Sequence, residues 1–195
     1  MTAIADMVQG PVRVFYAPVG EAEPADSVAF GAAWGGNWVE VGRTAEPLTL
    51  GYDVTTHESE SQQDTLPMKR TKVSERVALE TLLKEITAAN LQLVLGGAVT
   101  TTAAGSGQVG KEVLEGGGEF KMDERAWGFE GRYTDDAGTN FPIRFFVRRA
   151  TSVINGGLNW AKDADVGIPL KVEVLQPLDG AKAWHHERVI AAATE

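Results

Sequence analysis

Between Trp127 and Val147, large apolar residues fall on every second position on both sides of an acidic turn. Trp127, Phe129 and Tyr133 alternate with Gly128, Glu130 and Arg132. After Asp135-Asp136-Ala137-Gly138, the residues Phe141, Ile143, Phe145 and Val147 alternate with Arg144 and Arg148. A period of two sends one set of side chains to one face of a pleated strand. An acidic, glycine-containing turn joins antiparallel neighbours, so the stretch is a β-hairpin with one apolar face. An aromatic face of this kind must be covered, and the rest of the chain has to supply the cover.

Further strand signals surround the hairpin. Residues 11–16 and 36–43 are short β-rich runs joined by a Pro/Gly/Ala/acidic connector at 17–35. Val73, Val77, Leu79 and Leu83 share one side at period two, against Ser74, Arg76, Glu80 and Lys84 on the other, which favours a strand although helix formers are present. Ile168, Leu170, Val172 and Val174 alternate with Lys171 and Glu173, and residues 184–190 form a last strand. One helix is expected. Thr87 is its N-cap, Leu91, Val94 and Leu95 form its packing face, and Gly96-Gly97 stops it. The Gly- and Thr-rich stretch 96–118 reads as a mobile loop or thin strands. The expected fold is mainly β: a β-sandwich or barrel of roughly eight strands with one short flanking α-helix and a long extended arm loop, within a single domain over 1–195.

Composition narrows function. With 18 Lys plus Arg against 27 Asp plus Glu, the formal charge of −9 opposes binding to phosphate backbones or anionic lipid. The absence of cysteine excludes disulfides and thiolate-held metal. The start, Met1-Thr2-Ala3-Ile4-Ala5-Asp6, has neither a basic region nor a long apolar run, so neither export nor membrane insertion is expected.

The motifs that could carry chemistry fail in context. Gly105-Ser106-Gly107-Gln108-Val109-Gly110-Lys111 matches both a dinucleotide loop and most of a Walker loop. Glu112 stands where a Mg²⁺-holding hydroxyl is needed, and the flanking residues support neither the preceding strand nor the following helix. Ser106 likewise lacks the strand–turn–helix context of a nucleophile elbow. Of the three histidines, His57 stands alone, while adjacent His185 and His186 would point to opposite faces of a strand. The carboxylate pairs Asp123/Glu124, Asp135/Asp136 and Asp163/Asp165 read as solvated turn residues. Trp127 belongs with Phe129 in a core, while Trp34 and Trp160 stay open as sugar-platform candidates. No catalytic residue, cofactor or metal is expected, and the protein is not expected to be an enzyme.

The segment 53–72 is the odd one out. Glu58, Glu60, Gln62 and Asp64 alternate with Ser59, Ser61 and Gln63, a pattern for a strand with two wet faces. Disorder is one reading. The other is an assembly arm, carrying Glu58, Glu60, Gln62, Asp64, Met68 and Arg70, which finds its hydrogen-bond partners only on another subunit.

The order of signals resembles the major tail tube proteins of long-tailed bacteriophages. The resemblance is carried by Trp38-Val39-Glu40-Val41-Gly42, by Leu50-Gly51-Tyr52-Asp53 leading into the polar arm, by the run from Glu75 to Thr87 followed by the helix Ala88 to Leu95, and by the run from Ala164 to Val174. It implies a β-sandwich subunit that closes into homohexameric rings, with strands joined into a continuous inner barrel and the rings stacked into a tube. It further implies a virion tail protein made in the host cytoplasm, with tape measure, tail tip and tail terminator proteins as partners. DNA would pass through the lumen without specific binding, and no membrane would be involved. Two alternatives are a tube-forming protein of a bacterial injection system and a monomeric carbohydrate-binding β-sandwich.

Overall fold

A computed structural model describes residues 10–118, 121–135, 138–162 and 165–190. Asp136 and Asp163, two of the turn carboxylates, and the N-terminal residues Met1 to Asp6 lie outside the described residues. The elements in chain order are β1 (Arg13–Pro18), β2 (Val39–Glu40), β3 (Thr49–Ser59), β4 (Lys69–Leu83), α1 (Ala88–Leu95), β5 (Ala98–Thr102), β6 (Lys111–Glu115), β7 (Glu124–Thr134), β8 (Asn140–Ile154), β9 (Ile168–Val174) and β10 (Trp184–Arg188). The fold is mainly β. Eight strands form one antiparallel sheet in the order β2-β1-β7-β8-β9-β4-β3, with β10 paired to β8, while β5 and β6 form a separate two-stranded ribbon.

The β7–β8 hairpin is the centre of the sheet, as the alternation predicts. Trp127 faces Val147 and Phe129 faces Phe145 in the register of the pair. On its far side β8 carries two strands in series, β10 opposite Ile143–Val147 and β9 opposite Ala150–Ile154. The core lies on the face of Trp127, Phe129, Val147 and Ala150, where Val14, Leu79, Leu83, Ile168, Leu170 and Val172 join them with Leu93 and Val94 of α1. Sheet and helix therefore bury one continuous apolar face.

The helix is placed as expected but rotated. The Thr87 hydroxyl accepts from the Asn90 amide at 3.1 Å, and Gly96, at φ 73°, ends the helix with its N–H on the Gln92 carbonyl. The buried side is Asn90, Leu93 and Val94, with Leu91 partly packed and Leu95 54% exposed. Leu95 is thus not part of the packing face. The cause is Asn90, whose side-chain amide donates to the Val41 and Glu85 carbonyls at 2.9 Å each and turns that residue inward.

Three further expectations are corrected, and one open choice is decided. The sheet is open, ending on β2 and β3, so the barrel reading does not hold for the isolated chain. The run 36–43 contributes only Val39–Glu40 as strand. Of the two readings of 96–118, a mobile loop or thin strands, the structure shows the second, a thin ribbon with Gly105 and Gln108 bridged at its turn. The polar segment is not a loop throughout but the outer half of a β3–β4 hairpin, paired from Thr49↔Glu80 to Ser59↔Lys69, with residues 60–68 as the connection. Its inward-facing main-chain groups therefore find their partners within the chain. A register shift at Thr55/Thr56 marks a bulge that places Val73 opposite no residue of β3. Val73 is accordingly exposed instead of sharing the core with Val77. β9 pairs β4 only over Ala78–Leu83, so the hairpin projects beyond the sheet.

Candidate assembly surface

The opposite face of β1, β7 and β8 carries Arg13, Glu130 and Arg144, which alternation assigns to water. The connector covers it instead. Trp34 stacks on Phe15 at 4.0 Å between centroids, and its ring lies against Gly128, where a Cβ would come within 2.2 Å. Glu130 and Arg144 are buried together: the carboxylate accepts from Arg13 Nη1 at 2.9 Å, Trp34 Nε1 at 3.2 Å and Arg144 Nε at 3.3 Å. Arg144 also reaches the Val28 carbonyl and, at 3.3 Å, Glu187 of β10. This network pins the connector and the last strand to the sheet. The neighbouring Glu40, and then Glu130, raise the Arg13 guanidinium above its ordinary value, against the effect of burial.

With the connector covering one side and α1 the core, what stays uncovered is the edge. β3 has eleven residues, ten of them exposed, and among the described residues no strand pairs with its outer side. Antiparallel pairing turns alternate N–H and C=O groups of an edge strand outward, a row of unmet hydrogen-bonding groups. The six residues expected to form an arm all lie on this hairpin. Glu58 and Arg70 face each other in register and form a salt bridge. Glu60, Gln62 and Asp64 sit in the exposed connection between the strands, where the Asp64 amide donates to the Ser61 carbonyl at 3.3 Å. Met68 closes the hairpin through its N–H on the Ser59 carbonyl at 2.9 Å, with its side chain exposed. Nearer the sheet, Lys72 and then the Tyr52 hydroxyl hold the Glu75 carboxyl below its ordinary value.

Sequence reasoning missed the apolar side of this edge. Leu50, Tyr52 and Val54 alternate on β3, and their period-two spacing was legible. Their exposed side chains lead into a trough of about 500 Å³ lined by Leu50, Tyr52, Val77, Phe145, Trp184 and His186. His185 points to the other face, 3.2 Å from Glu23, so the two histidines diverge as expected. Among the described residues no group of three His, Asp or Glu side chains could hold a metal ion. Lys111 lies in a strand, with no helix after the glycine loop to receive a phosphate. Trp127 and Trp34 are buried, Trp160 is 76% exposed, and Trp184 stacks on Phe145. No described helix is long and apolar enough to cross a membrane.

An open antiparallel sheet that ends on a long strand with one side unpaired is the form of a β subunit able to add a partner at that edge. The chain matches the family model described as phage tail tube protein over residues 4–193, and it belongs to that family. It is therefore a structural component of a phage tail. No curated protein matches the chain.

Proposed function

We propose that copies of this chain close into hexameric rings that stack into the tail tube, the conduit through which DNA passes into the host. The observation that carries this reading is the eleven-residue outer edge of β3. A monomer normally shortens, charges or covers such an edge, because it templates pairing with another chain. Closure of several copies into a ring consumes every edge at once. The net charge of −9 suits a wall along which phosphates slide without the multi-contact adhesion of a basic channel. The tube would be made in the host cytoplasm, without a membrane stage, and would meet tape measure, tail tip and tail terminator proteins at its axis and ends. The role is structural, with neither catalysis nor a cofactor.

Negative-stain microscopy of the purified protein, alone and seeded with tail-tip complexes, tests the proposal. Rings or tubes of uniform diameter are expected. A species that stays monomeric at high concentration even when seeded would refute it.

A further inference from the structure

The hairpin joins two apolar features that cannot meet within one chain. At its tip, Leu66-Pro67-Met68 interrupts an otherwise polar connection, with Leu66 76% and Met68 71% exposed. At its base lies the trough of about 500 Å³. From Tyr52 to Ser59 the paired strand runs seven residues, about 23 Å at ~3.3 Å per residue, and the tip lies farther still. Ladder pairing from Thr49 to Ser59 keeps the hairpin extended, so the tip cannot fold back onto its own base.

We infer that the Leu66-Pro67-Met68 tip of one copy seats in the Leu50/Tyr52/Val77/Phe145/Trp184/His186 trough of a second copy. The inference rests on the assembly reading above and names the contact. Three observations select this occupant. The trough lining holds no carboxylate, ammonium or guanidinium group, so its chemistry matches an apolar segment and not nucleic acid. Between tip and trough, the same face of the hairpin carries the Glu58–Arg70 and Lys72–Glu75 pairs, which leaves the two apolar features as separate complementary patches. The trough also adjoins the proposed interface, because Leu50 and Tyr52 belong to β3 itself. It opens where the sheet is incomplete: among the described residues, no strand pairs with β4 over residues 69–77 on the side away from β3, or with the outer side of β10. A seated segment could therefore find main-chain partners as well as apolar cover.

The chain has no cysteine, which makes a cross-link unambiguous. Leu66→Cys protein and Leu50→Cys protein, mixed, assembled and oxidised, should give a disulfide-linked dimer that neither variant gives alone. In parallel, Leu66→Ser/Met68→Ser changes only exposed side chains, so the monomer should fold normally. Its critical concentration for assembly should rise about tenfold or more, a factor equal to ~1.4 kcal/mol, while Leu66→Met should assemble normally. Tubes that form without the cross-link, and with an unchanged critical concentration in the double variant, would overturn this contact alone. Failure of the unsubstituted protein to assemble would overturn the assembly reading and this inference with it.

Discussion

Gly128 and Glu130 sit two positions apart on β7, and both serve the connector that covers their face. A methyl group at 128 would meet the Trp34 ring at 2.2 Å, so Gly128→Ala forces that ring off Phe15. The expected cost is about 1–3 kcal/mol in chemical unfolding, with a changed tryptophan emission in the folded state. Glu130→Ala leaves Arg144 buried without its carboxylate and should cost about 3–5 kcal/mol. Arg70→Ala, which removes an exposed pair, should cost less than about 1 kcal/mol by the same assay. Alternation made Phe129 and Trp127 legible as core but misled at Glu130 and Arg144. A period of two reports which residues share a face, not whether a distant connector will later cover the other one.

At the scale of elements, boundaries set by local chemistry were readable and those set by packing were not. The Thr87 cap and the Gly96 stop are written in residue type, and Thr87→Ala should lower stability by about 1 kcal/mol. The helix rotation was hidden because Asn90 takes an inward position through carbonyls that only the fold brings near. Leu93→Ala should therefore cost about 2–5 kcal/mol in urea unfolding, whereas Leu95→Ser should be nearly neutral. The outer half of the hairpin escaped recognition because its strand ends, up to Ser59 and from Lys69, are polar on both faces, so burial gives no period to read there. Its exposed ionic contacts still make it sensitive to acid. The Glu75 carboxyl is depressed by Lys72 and Tyr52, and, on the β7–β8 hairpin, the Glu124 carboxyl by Arg149. A carboxyl with a lowered folded pKa adds stability above the ordinary value of 4.5, and this stability is lost as the pH falls through the folded value. Stability measured against pH should thus decline below about 4.5, and Glu75→Gln should make that decline slightly shallower, its small loss of stability appearing at neutral pH and vanishing in acid.

At the scale of the whole molecule, one edge governs assembly. Had residues 53–72 no partners in the free chain, the entire stretch would exchange its amide hydrogens quickly before assembly. The β3–β4 pairing predicts something more specific. In the free subunit, alternate amides of Thr49–Ser59 point to β4 and are protected, while the intervening ones point outward and exchange fast. Ring closure across that edge would satisfy the outward set. The most direct measurement is residue-resolved amide exchange over β3 in the free subunit and in assembled particles. The expected result is an alternating pattern in the subunit that becomes uniform protection after assembly. The same alternating pattern in both states would show that β3 remains an open edge in the particle and would contradict the account.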